Sequence, residues 1–155
     1  MGKALGMKVL IAERKGSSTA REGRTLFEEV LEQCTVLIMT CPLDSSTRNM
    51  IDEAELRTMK DDAIIVNVGR GGIINELALA TALKERRIGG AATDVFETEP
   101  ATIENCPLLD SSIPNLVLTP HIAWYSSRTI TGTILVTKKN LECFVAGKPQ
   151  NVVVG

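Results

Sequence analysis

The sequence predicts an α/β protein built on a doubly wound parallel sheet, and three observations carry that prediction. Short β-prone runs alternate with helical patterns along the chain. The runs are apolar almost throughout (VLI, VLIM, IIVNV), as suits strands buried on both faces. Charged and glycine-rich turns follow the runs, at the strand ends where open parallel sheets bind ligands.

In chain order, MGKALG reads as the tail of a helix with Gly6 at its C-cap. Lys8–Ala12 reads as a strand closed by Glu13. Gly23–Leu26 reads as a rudimentary strand, and Thr25 as the cap of LFEEVLEQ, whose Leu26, Val30 and Leu31 share a face. Val36–Thr40 is the next strand, and Asp52 caps EAELRTM. Ala63–Asn67 follows, and Asn75 caps ELALATALKER, with Leu79 and Leu83 four apart. Gly90–Asp94 and Leu116–Leu118 complete the strands, separated by one sizeable loop, Glu97–Pro114. A last helix runs from about Ser127 to Ala146 and stops at Gly147, with Pro149 beyond. Its apolar stripe is Ile130, Ile134, Leu141, Phe144 and Val145.

The 155 residues make one domain, with 44% apolar and 23% charged side chains. The net charge of −2 and an aromatic content of 3%, with no aromatics interleaved among basic clusters, argue against a nucleic-acid module or an anionic-membrane binder. Cys34, Cys41, Cys106 and Cys143 show no C-x-x-C spacing, so we expect reduced thiols in a cytoplasmic protein and no metal site. No apolar run approaches a bilayer span, and Lys8 breaks the short apolar stretch near the start, so no signal peptide is expected.

The strand ends gather the chemistry. Glu13-Arg14 follows the first, Cys41-Pro42 the second, Gly69-Arg70-Gly71-Gly72 the third, Asp94 with Glu97 and Glu99-Pro100 the fourth, and Pro120-His121 the fifth. The one histidine, an arginine between glycines and a carboxylate thus converge on one edge. Arginine grips a carboxylate bidentately. Histidine moves a proton near neutral pH, and a glutamate in contact with it orients the ring and favours its charged form. A strand ending in an acid about twenty residues after G-x-G-x-x-G is half of the dinucleotide-binding fingerprint. Glu13 supplies that acid, but no G-x-G-x-x-G occurs in the chain.

NVGRGGIINELALATALKERRIGGAATDVFETEP, followed by LTPHIAW, closely resembles the D-isomer-specific 2-hydroxyacid dehydrogenases. CPLDSSTRNMID and the closing LECFVAGKPQNVV are similar to the same family, so the resemblance spans essentially the whole chain. VLIAERKG and the PHIAW ending look most like the glycerate dehydrogenase, or hydroxypyruvate reductase, branch. The resemblance implies that Arg70 binds the substrate carboxylate and polarises its keto group, that His121 is the acid–base residue, and that Glu99 pairs with it. It implies that Glu13 accepts from the adenosine ribose, that Cys41, Pro42 and Thr47 lie along the cofactor, and that Val68, Asp94, Ala123 and Trp124 lie near the nicotinamide. Arg14, Gly69, Arg70 and His121 complete the expected cofactor contacts.

The implied cofactor is NAD, with NADP possible. Glu13 should repel a 2′-phosphate, while Arg14 could grip one. The implied partners are a small 2-keto or 2-hydroxy acid and a second copy of the chain. Family members also carry a substrate domain, a first strand and a glycine-rich turn ahead of the residues matched here. Residues 1–155 therefore read as a truncated dinucleotide-binding domain, a Rossmann-like sheet without its central first strand. The expected repair is pairing of Lys8–Ala12 with Val36–Thr40, or a borrowed strand. Three readings of function are open: a dehydrogenase domain, a non-catalytic remnant, and a corepressor-like binding module of the same fold.

Overall fold

The computed structural model describes residues 2–153, in two compact units, residues 1–121 and residues 122–155. The first holds a four-stranded parallel sheet of β1 (Val36–Met39), β2 (Ile64–Asn67), β3 (Gly90–Thr93) and β4 (Leu116–Leu118), in that spatial order. Three helices connect and flank it: α1 (Phe27–Gln33), α2 (Glu53–Thr58) and α3 (Glu76–Lys84). Phe27, Val30 and Leu31 of α1, Leu56 of α2 and Leu79 and Leu83 of α3 pack with Leu37, Met39, Ile65 and Ala91 of the sheet into one core. Each fully buried leucine or isoleucine contributes about 1.5–3 kcal/mol through the water it no longer orders.

Local chemistry accounts for the helix ends. Asp52 forms a full capping box with Glu55, and the Asn75 side chain accepts from the Leu77 and Ala78 N–H groups. Both capping expectations hold. At the start, Gly2–Leu5 is a single 3₁₀ turn, not the end of an α-helix. Gly6 does stop it, at φ +77°: its N–H donates to Lys3 O and the Met7 N–H to Gly2 O, the paired bonds of a Schellman ending.

Four expectations are corrected. Lys8–Ala12 is extended but belongs to no ladder of the sheet. Its tie is an isolated parallel bridge between Ala12 and Thr25, with the Thr25 N–H on Ile11 O and the Glu13 N–H on Thr25 O. Thr25 therefore spends its backbone on that bridge and caps nothing; the N-cap of α1 is Leu26, without a side-chain bond. Nor do residues 8–12 close onto β1. A groove of about 510 Å³, lined by Met7, Val9, Leu10, Cys34, Val36 and Ile38 among others, lies between them. The fourth correction concerns burial. One face of the sheet is buried, but Ile38, Ile64 and Val117 on the strands are exposed, so burial on both faces does not hold.

The second unit contains α4 (Ser127–Val145), capped by the Ser126 hydroxyl on the Thr129 N–H and ended at Gly147. Ile134, Leu141, Phe144 and Val145 of the expected stripe are exposed. No helix among the described residues is long and apolar enough to cross a membrane.

The caps give a direct contrast. Asp52→Ala should cost about 1 kcal/mol, the usual worth of an N-cap. Thr25→Ala, with no cap to lose, should cost less than half of that, and urea midpoints measure the difference.

Candidate active site

Parallel strands bring all their carboxyl ends to one edge, and the register sharpens this. Met39, Asn67, Thr93 and Leu118 stand in one transverse row. The residues after them, Cys41-Pro42, Val68-Gly69-Arg70, Asp94 and Thr119-Pro120-His121, therefore line one rim.

Asn67, buried at the end of β2, shapes the arginine turn. Its side-chain oxygen accepts from the Gly69 N–H at 3.1 Å and its amide donates to Arg70 O at 3.0 Å. Arg70 is exposed, and its Nη1 donates to Gly69 O at 2.7 Å. The three glycines around Arg70 serve different needs. Only Gly72 has a left-handed backbone, at φ +77°. Gly71 is required by proximity, because a Cβ there would overlap the Phe96 carbonyl and crowd the Glu97 N–H. A Cβ on Gly69 would stand 2.8 Å from Cys41 O. Glu76, buried in the first turn of α3, accepts the Glu97 N–H at 2.7 Å and pins the facing loop.

Across the rim, the buried Asp94 accepts the Thr119 hydroxyl at 2.6 Å, and its carbonyl accepts the His121 N–H at 2.8 Å. These bonds hold His121 at φ +54°, a left-handed conformation that costs a non-glycine residue on the order of 1 kcal/mol. The ring then meets Glu99: Nδ1 lies 2.8 Å from Oε2, while Oε1 accepts the Phe96 N–H at 3.0 Å. Both carboxylate oxygens are thus fixed. The His121 contact first, and the Phe96 N–H second, hold the Glu99 carboxyl below the usual range. His121, Glu99, Phe96, Leu109 and Leu118 line a cavity of about 560 Å³.

Cys41 is half-buried, and burial pushes its thiol up. Thr47 turns inward: its hydroxyl donates to Pro42 O at 2.9 Å and accepts the Asp44 N–H at 2.8 Å, closing the loop. Val68 is partly exposed on the rim. Glu13 is buried, held by Arg21. Ala123 and Trp124 belong to the second unit, where the Trp124 and Tyr125 rings meet edge-on at 5.6 Å. Asn67, Glu76 and Arg21 escaped the sequence reading. Asn67 was signalled by Asn-x-Gly at a strand end, an Asx-turn pattern. Nothing marked Glu76 or Arg21, because their partners are distant or across a loop.

The rim fits a dinucleotide. Arg70 offers an exposed cation, Val68 an apolar surface, and the missing Cβ at Gly69 lets the β1 and β2 ends approach closely, while Arg14 and Arg21 are exposed cations of the turn between Ala12 and Thr25. Residues 1–123 match the family described as D-isomer specific 2-hydroxyacid dehydrogenase, NAD binding domain. The chain belongs to this family. It is 43% identical over 151 residues to the glycerate dehydrogenase of Methylorubrum extorquens, covering 97% of this chain and 46% of that protein. In structure it is similar to a glyoxylate reductase from Paecilomyes thermophila, with TM-score 0.81, 31% identity, and 97% and 46% of the two chains covered. It is also similar to an NADPH-dependent glyoxylate/hydroxypyruvate reductase from Sinorhizobium meliloti, solved with NADP and malonate, with TM-score 0.76, 31% identity, and 92% and 44% covered. The chain spans about half the length of the curated relatives it matches. Its parallel sheet with flanking helices is the Rossmann-like α/β fold of this dehydrogenase family, and its cofactor class is the nicotinamide dinucleotides.

The Gly71 approach is testable in this dehydrogenase fold. Gly71→Ala should destabilise it by on the order of 3 kcal/mol, as overpacking against rigid backbone does. Urea unfolding gives the loss, and a cost below about 1 kcal/mol would show that the loops can separate.

Proposed function

We propose that this chain serves the NAD(P)-dependent interconversion of a D-2-hydroxy acid and its 2-keto acid, of the glycerate/hydroxypyruvate or glyoxylate kind. The observation that carries the reading is the 2.8 Å contact between His121 and Glu99 on the rim that also bears Arg70. Arg70 binds the substrate carboxylate as a bidentate cation. His121 gives a proton to the carbonyl oxygen in reduction and takes it back in oxidation. Glu99, fixed by the Phe96 N–H, orients the ring through Nδ1. The nicotinamide, when bound, supplies or accepts the hydride. Glu13 and Arg14 at the ribose, Cys41, Pro42 and Thr47 along the cofactor, and Val68, Gly69, Asp94, Ala123 and Trp124 near the nicotinamide are the proposed cofactor contacts. We place residues 1–155 in a dinucleotide-binding domain that works with a separate substrate domain. A cytoplasmic location and self-association as a homodimer belong to the same reading, the latter supported by the exposed apolar residues of α4.

In the full-length enzyme, His121→Ala should lower kcat about a hundredfold or more, the scale of general acid–base catalysis. Glu99→Ala should lower kcat about tenfold to a hundredfold, because a ring that is no longer oriented is misplaced for proton transfer. An unchanged kcat would remove Glu99 from the mechanism.

Residues 1–155 by themselves contain no G-x-G-x-x-G. That turn supplies the N–H groups that hold a pyrophosphate. The 155 residues alone should show no measurable dehydrogenase activity and should bind NAD weakly. Calorimetry returning a Kd of about 1 μM, some 8 kcal/mol of binding, would contradict this.

A further inference from the structure

The acid expected to accept from the adenosine ribose has no acceptor site left to offer. A carboxylate presents about four lone-pair sites. In Glu13, Oε1 accepts from the Arg14 N–H at 2.9 Å and from Arg21 Nη2 at 2.5 Å. Oε2 accepts from the Arg21 N–H at 3.2 Å and from Arg21 Nε at 2.7 Å. The Glu13 side chain is only 4% exposed, and the Arg21 bonds, foremost among these contacts, hold its carboxyl well below the usual range. The Arg21 side chain, by contrast, is 63% exposed.

The neighbouring cations divide into two groups. Lys15 is committed: its Nζ lies 2.8 Å from Glu55 Oε1 and donates to Met50 O at 2.9 Å. Arg24 donates from Nη1 to Ala12 O at 2.9 Å. Arg14 is exposed and makes no ion pair among the described residues. With Glu13 neutralised by Arg21, the charge presented to solvent at this turn is that of Arg14 and the outer face of the Arg21 fork. A ribose 2′-hydroxyl arriving here meets donors, and must break an existing bond to donate to Glu13. A phosphomonoester arriving here brings acceptors to unspent donors.

We propose that Arg14 and Arg21 form a recognition site for a phosphate on the adenosine 2′-oxygen, so that this chain favours NADP(H) over NAD(H). This reverses the preference expected from Glu13 alone, and it rests on the dinucleotide reading above. Arg21 is the specificity-determining residue. It cancels the repulsive carboxylate and still presents the remaining N–H donors of its exposed fork. Glu13 becomes the post that fixes Arg21, and its presence no longer marks an NAD site.

The test isolates the discriminating atoms and needs no pyrophosphate cradle. The chain is titrated with 2′-AMP, 5′-AMP and adenosine while its backbone amides and arginine Nε–H signals are followed by NMR. The expected result is that 2′-AMP binds about tenfold tighter than 5′-AMP, with shifts centred on Arg14 and Arg21, as charge-assisted bonds to a positioned phosphate imply. Arg21→Ala should abolish that preference. Arg14→Ala removes no side-chain contact that the fold uses, and should weaken 2′-AMP severalfold more than it weakens adenosine. Equal affinities for 2′-AMP and 5′-AMP, or a preference that survives both substitutions, would overturn the inference while adenosine binding keeps the dinucleotide reading intact. No shift in residues 12–25 with any of the three would overturn both.

Discussion

The backbone of Gly71 lies against the carbonyl of Phe96, and the candidate site depends on that approach. It joins the turn after β2 to the loop after β3 without an intervening side chain. Arg70 is thereby placed beside the loop that carries Glu99. The Glu76 carboxylate secures the same loop by accepting the Glu97 N–H, and the Arg48–Glu97 pair at 3.0 Å ties it outward to the loop after β1. Backbone contact is a rigid constraint, because it has no rotamer through which to relax.

The polar residues buried in the first unit mark the working edge. Asn67, Thr93 and Asp94 sit at strand ends, and Glu76 starts the helix that follows the arginine turn. Each is bonded: Asn67 to its own turn, the Thr93 hydroxyl to Val95 O at 2.8 Å, Asp94 to Thr119, Glu76 to Glu97. Burying such groups unpaired would cost about 1–3 kcal/mol each. Satisfied, they convert the ragged ends of a sheet into loops of defined shape. The polar network therefore does for the rim what the apolar cluster does for the layer beneath it. The left-handed backbone of His121 is held by the same network, through Asp94 O.

Electrostatics at Glu99 and Glu13 follow opposite logic. At Glu99 the carboxylate is shared between a backbone N–H and a titratable ring, so its charge remains coupled to protonation of His121. At Glu13 the carboxylate is enclosed by four donors from two arginine residues, and its charge is cancelled locally. Two glutamates of the same intrinsic chemistry thus become a tunable partner and a fixed structural anion. The difference lies in whether the partner can lose its proton.

The sequence by itself determined the fold class, the four paired strands, the caps at Asp52 and Asn75, and the edge to which the strand-end residues Arg70, Asp94 and His121 come. Those features rest on local rules: strand propensity, the geometry of a cap, and the parallel order that sends every strand end to one edge. Tertiary structure alone decided whether a β-prone run became a strand. Lys8–Ala12 has the right residues, yet a ladder needs a neighbour at hydrogen-bonding distance, and its one bridge runs to Thr25 instead. Tertiary structure also decided what Glu13 faces. Its partner is eight residues away around a turn, and no periodicity relates the two positions. A carboxylate's role is set by the donors that reach it, and in this chain the fold supplies them.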